Sequence, residues 1–101
     1  MSRKIIITKT AEKKLNKLFE HLLNDWNAKV KSDFVKKLDK NIEVIKLTPE
    51  IFPESENKQG LHKCVVTKQT TLFYRFNSER IIIVTIFDTR QNPKRLKKDI
   101  D

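Results

Sequence analysis

The sequence predicts an α+β domain: a short N-terminal strand, an antiparallel helical hairpin, then a three-stranded antiparallel meander, with one sheet packed on the helices. Three observations carry this. From Ala11 to Ile45 apolar residues recur at three- and four-residue spacing, the period of a helix that buries one stripe. From Leu72 to Phe87 two apolar runs flank the polar segment Asn77-Ser78-Glu79-Arg80, the pattern of a β-hairpin. Between the two regions Pro49, Pro53 and Gly60 punctuate a polar stretch that separates helices from strands. At 101 residues the chain suffices for a single domain, residues 1–101, with one core.

Ile5, Ile6 and Ile7, bounded by Arg3-Lys4 and Thr8-Lys9, form the first strand. Thr8 or Thr10 then caps a helix whose stripe is Ala11, Leu15, Leu18, Phe19, Leu22, Leu23 and Trp26. Asn24, Asp25 and Asn27 favour local side-chain hydrogen bonds over helix, so the chain is predicted to break near them. A second helix repeats Val30, Phe34, Leu38, Ile42 and Ile45 until Thr48-Pro49 ends it. Packing of the hairpin is assigned to Leu15, Leu18, Leu22, Phe34, Leu38 and Ile42. Pro49 to Gly60 reads as an exposed loop. Leu61 to Lys68 reads as a strand with Cys64 and Val66 on one face and Leu61, Lys63 and Val65 on the other. After a turn at Gln69-Thr70 comes the hairpin, whose second strand, Ile81 to Phe87, lacks polar alternation and is therefore predicted to be central and buried on both faces.

The formal net charge is +9, with 22 Lys and Arg against 13 Asp and Glu. Such an excess favours an anionic partner, nucleic acid first and an acidic protein second, although solvation of the helix faces accounts equally well for most of the helical lysines. Cys64 is the only cysteine, which excludes an intrachain disulfide and suits a reducing cytoplasm. No apolar run is long enough for a bilayer or for a signal peptide, so a cytoplasmic protein with no membrane partner is expected. Phosphate-loop, zincin, cysteine-metal and nucleophile-elbow patterns are missing, and neither metal nor cofactor is expected.

What remains is a set of cations on the sheet. Lys63, Lys68, Arg75 and Arg90, close to His62 and Tyr74, could form a shallow anion-binding surface, with Arg90 gripping a phosphate at the exit of the last strand. Lys94 and Arg95 extend the set of target contacts. Tyr74 and Arg75, adjacent on a strand, point to opposite faces. The competing account pairs Arg75 with Glu79 or Asp88 and leaves Arg90 as a strand-end cap. His21 and His62 are expected at surface or packing positions, with a phosphate contact as the lesser role for His62.

The order of elements, together with I-I-I-T-K-T-A near the start, Trp26 at the helix junction, F-P-E before G-L-H-K, and L-F-Y-R-F followed by I-I-I-V-T-I-F-D-T-R-Q-N-P, resembles the RelE/ParE superfamily of toxins from bacterial type II toxin–antitoxin modules. The likeness covers nearly the whole chain. It implies a RelE/ParE-like fold, growth inhibition, and a hetero-oligomer with a cognate acidic antitoxin whose partly disordered segment folds along the toxin. RelE-like members are ribosome-dependent messenger RNA endonucleases that use basic sheet residues and a C-terminal Tyr or His; ParE-like members poison DNA gyrase. Here Arg90 matches the arginine after the last strand, but Thr71 stands where the strand arginine is expected and Leu96 near the C-terminal aromatic. No Tyr or His follows Arg90. A metal-independent nuclease would have to draw on Arg90, Arg75, Lys68, Lys63 and His62. The resemblance therefore leans to ParE-like action on gyrase, with the ribosome-bound messenger RNA endonuclease and a non-toxic basic nucleic-acid-binding module as alternatives.

Overall fold

The computed structural model describes residues 3–56 and 58–88. Its elements are β1 (Lys4–Ile7), α1 (Lys9–His21), α2 (Ala28–Leu47), β2 (His62–Thr67), β3 (Thr70–Phe76) and β4 (Arg80–Asp88), with a π-helical turn at Leu22–Trp26 and a 3-10 turn at Pro49–Ile51. The four strands make one sheet in the order β1-β4-β3-β2. β1 runs parallel to β4, and β3 is antiparallel to both its neighbours. The expected α+β architecture is what forms, and β4 is central as its apolar run requires.

Thr8 joins the first strand to the first helix. Its hydroxyl accepts from the Ala11 amide at 3.1 Å, capping α1, and donates to the Val84 carbonyl at 2.7 Å. That carbonyl belongs to the extra residue of a bulge in β4, where Phe73 faces Thr85 and the next pair is Tyr74 with Ile83. The Asn27 side chain caps α2 by accepting from the Val30 amide at 2.9 Å.

The helical hairpin covers one face of the sheet. Ala11, Phe34, Leu38 and Ile45 pack there against Cys64, Leu72, Tyr74, Ile81 and Ile83. Leu15, Leu18, Leu22 and Ile42 join this core but are only partly buried. The opposite face carries a smaller cluster of Leu61, Phe73 and Phe87.

Two expectations need correction. The apolar stripe of α1 does not run through Leu23 and Trp26, which are 44% and 66% exposed. The break near Asn24 and Asp25 takes the form of a π-helical turn, whose wider spiral carries these two side chains off the buried line. Nor is the whole of Pro49 to Gly60 an exposed loop. Pro49 and Ser55 are buried, the Lys63 amide donates to the Pro53 carbonyl at 2.9 Å, and Glu54 bridges His62 along the outer edge of β2. Apolar Pro49 and Phe52 draw the segment onto the sheet, while Gly60, at φ +81°, supplies the left-handed turn that returns the chain into β2.

Among the described residues, no helix is long and apolar enough to cross a membrane.

Candidate anion-binding face of the sheet

Side-chain alternation divides the proposed contact residues between two faces. Within β2, His62, Cys64 and Val66 are buried toward the helices, so Lys63 and Val65 face the other way. Within β3, Leu72 and Tyr74 are buried in the helix-side core, and Arg75 and Phe73 face away. Lys63 pairs with Phe73, so Lys63 and Arg75 are diagonal neighbours on the helix-free face. Both are half-buried. Among the described residues neither is in an ion pair, and Arg75 is joined to neither Glu79 nor Asp88.

His62 does not stand with them. Its ring lies on the helix side, stacked on Tyr74 with centroids 5.4 Å apart and tilted against Phe76 at 5.0 Å. Its Nδ1 is 2.7 Å from the Phe52 carbonyl, which can only accept, so Nδ1 carries the proton and donates. His62 therefore lies on the opposite face from Lys63, where it packs among aromatic rings. Tyr74 is equally engaged. It is fully buried and donates its hydroxyl to the Pro49 carbonyl at 2.5 Å. Burial, reinforced by Cys64 and Glu50, pushes its pKa far above the ordinary phenol value.

Lys68 precedes β3, at the opposite end of that strand from Arg75, and is exposed. It therefore belongs to a separate part of the surface. Arg90, Lys94 and Arg95 lie outside the described residues.

Two cations absent from the expected set share the face of Lys63 and Arg75. Arg80, read from sequence as part of the hairpin turn, is the first residue of β4, and Lys4 of β1 is its partner in the parallel register. Ile5, Ile81 and Ile83 face the core, so Lys4 and Arg80 project to the helix-free side, and both are exposed. Only the pairing of β1 with β4 brings them together, and that pairing joins residues at opposite ends of the sequence. The strand phase of the triple isoleucines was the one available signal.

A different concavity lies at the tip of the helical hairpin. It encloses about 330 Å³ between the ends of the helices and the β2–β3 turn, with Leu18, Leu22, Trp26, Phe34, Lys37 and Thr70 in its walls. Its lining is mainly apolar and includes Lys37 and Asp33, charges of opposite sign.

The fold is shared with solved toxin structures. The chromosomal ParDE toxin–antitoxin system from P. aeruginosa matches with a TM-score of 0.70 at 13% identity, over 86% of this chain and 96% of that one. The E. coli DinJ-YafQ toxin–antitoxin complex matches at 0.66 and 10% identity, over 89% and 96%. The YoeB/ParE toxin from Agrobacterium tumefaciens matches at 0.61 and 16% identity, over 84% and 96%. No curated protein matches in sequence. At these identities the structures establish the fold, which ParE and RelE-type toxins have in common. The profile of the ParE toxin of the type II toxin–antitoxin system parDE matches residues 5–93, from the first strand through the segment that follows β4. With a family match of that extent and a sheet and helical hairpin of the corresponding fold, this chain belongs to the ParE toxin family of type II toxin–antitoxin systems.

Proposed function

We propose that this toxin arrests growth by binding a polyanionic target through the helix-free face of its sheet, in the manner of a ParE-like inhibitor of DNA gyrase, and not by cutting messenger RNA. The observation that supports this is the division of labour between faces. Lys63 and Arg75 offer positive charge on one side, while the nearby imidazole and phenol, His62 and Tyr74, are on the other. His62 is bonded to a backbone carbonyl and Tyr74 is buried. Phosphodiester cleavage without a metal needs a base or acid within hydrogen-bond reach of the reacting oxygens as well as charge stabilisation. Among the described residues the cationic face supplies charge stabilisation but neither imidazole, phenol nor carboxylate, its proton-exchanging groups being lysine ammoniums. Arg90, Lys94 and Arg95 join the proposed contacts on charge and sequence position, Arg90 by its match to the family's arginine.

The antitoxin is the partner that holds this activity in check. An acidic segment that orders on binding suits a chain of net charge +9 whose hairpin tip leaves Leu23 and Trp26 uncovered.

Expression of the chain alone is expected to stop growth, and co-expression of its cognate antitoxin to restore it. The purified toxin is expected to stabilise gyrase–DNA cleavage complexes and to leave ribosome-bound messenger RNA intact. Cleavage of that RNA, with gyrase unaffected, would overturn the proposal in favour of the endonuclease.

A further inference from the structure

We infer that Lys63, Arg75, Arg80 and Lys4 form one continuous contact track for the phosphodiester backbone of DNA, laid diagonally across all four strands. The choice of DNA rests on the gyrase-directed reading above; the track itself rests on strand register.

Lys63 pairs with Phe73, two residues before Arg75. Arg75 pairs with Ile82, two residues after Arg80. Arg80 pairs with Lys4. Each step therefore moves one strand across the sheet. The first two also advance two residues in the same direction along it, and side-chain alternation keeps all four cations on the helix-free face. Diagonal neighbours stand about 7–8 Å apart. The last step, directly across, is about 4.8 Å. From end to end the track spans about 20 Å, the diagonal of three strand spacings across and four residue rises along the sheet.

Among the described strand residues no acidic side chain interrupts it. The helix-free positions of the described strands are otherwise Ile6, Val65, Thr71, Phe73, Ile82, Val84, Thr85 and Phe87, none of which carries charge. Among the described residues none of the four cations is held in an ion pair. Four unneutralised cations at such spacing repel one another, which disfavours the empty face and favours a ligand with repeated negative charge. Two of the four are arginines, whose planar forks match phosphate oxygens.

A diagonal course also separates nucleic acid from an acidic peptide. A peptide gains main-chain hydrogen bonds by adding to a sheet edge; lying across the strands it would leave its own amides unpaired by the protein. A phosphodiester backbone needs acceptor contacts only, and release of its condensed counterions drives binding.

The test is titration of the full chain with a fluorescent 20-base-pair DNA duplex across a salt series. Four phosphate contacts predict a slope of log affinity against log salt of roughly −3 to −4. Arg80→Gln and Lys4→Gln are each expected to weaken binding several-fold and to make the slope less steep by about one. Lys13→Gln, on the outer side of α1, is the control and should leave both unchanged. Thermal midpoints of all variants establish that the fold is intact. Parental affinity and slope in both track variants would overturn the inference, as would tighter binding of a single-stranded RNA of equal length through the same residues, or loss of binding in the Lys13 variant instead. Gyrase inhibition is scored separately. Normal poisoning by variants that bind DNA like the parent removes the track and leaves the gyrase reading standing; DNA binding through the track with no effect on gyrase keeps the track and removes that reading.

Discussion

The two faces of the sheet are built from alternate residues of the same strands and carry opposite chemistry. On the helix side Cys64, Leu72, Tyr74, Ile81 and Ile83 are at most 2% exposed and bury apolar surface against the hairpin. One residue along, Lys63, Arg75 and Arg80 face away from the helices. The helix-free face is itself divided, with Leu61, Phe73 and Phe87 closing an apolar patch beside the cations. Placing stability on one parity and charge on the other keeps mutual repulsion among cations out of the core. Substitutions on the two parities are therefore expected to act separately, on stability from one face and on surface charge from the other.

The largest effect is expected on the helix side. Leu38 is 5% exposed, and Leu38→Ala should lower unfolding free energy by about 2–5 kcal/mol, through lost transfer energy and a residual cavity. Leu18 is only partly buried, so Leu18→Ala should cost less. Chemical denaturation of both variants checks the order, and an equal cost would mean that the hairpin packs more evenly than the exposures indicate.

Alkaline pH probes the same face. Burial pushes the Cys64 thiol up from its ordinary 9.0 to about 11. The folded state thus holds this proton more tightly than the unfolded state does. The associated stability is fully present below about pH 9 and is lost as pH rises toward 11, by about 3 kcal/mol for two units. Tyr74, shifted in the same direction, adds to the alkaline loss. Stability measured from pH 8 to 11 should fall less steeply in Cys64→Ala than in the parent, whatever that variant costs at neutral pH.

Tyr74→Phe removes the hydroxyl that donates to the Pro49 carbonyl and leaves that acceptor without its partner, a loss of about 1–3 kcal/mol. This bond pins the segment after α2 to the sheet, so faster amide exchange around residues 49–55 should accompany it. A change confined to global stability would show that Phe52 and the Pro53 edge contact hold the segment unaided.

Much of this architecture was legible because each element has its own period. The helices, a threonine cap before α1, the break between the helices, the alternation in β2, and the central position of β4 follow from spacing and propensity. Four features did not, each for a physical reason. A π-helical turn has no compositional signature distinct from a break, so Leu23 and Trp26 looked buried. The Pro- and polar-rich stretch after α2 reads as a loop, yet Pro49 and Phe52 bring enough apolar surface to dock against Tyr74 and its neighbours. His62 looked like a companion of Lys63 because the two are adjacent in sequence, and adjacency in a strand means opposite faces. The cationic corner of Lys4 and Arg80 depends on a parallel pairing between the first strand and the last, which local pattern cannot supply.

The smallest expected change in stability tests the separation most sharply. Arg75 is half-buried on the helix-free face with no ion pair among the described residues, and its strand neighbours Tyr74 and Phe76 carry the packing on the other side. Truncation to alanine removes charge and some aliphatic contact with little change to the core, so Arg75→Ala should shift unfolding free energy by no more than about 0.5 kcal/mol. Relief of like-charge repulsion from Arg80 and Lys63 acts in the stabilising direction and partly offsets the lost contact. Growth arrest should nevertheless be relieved, because the track loses an interior member whose planar fork a neighbouring lysine cannot replace. Arg75→Lys, which keeps the charge and loses the fork, should restore toxicity only in part. Paired measurements of denaturation midpoint and growth on induction decide the matter. Full toxicity in a normally folded Arg75→Ala protein would move the working surface away from this face, toward the lysines of the helical hairpin; loss of toxicity together with a large loss of stability would show that the two faces are not separable at all.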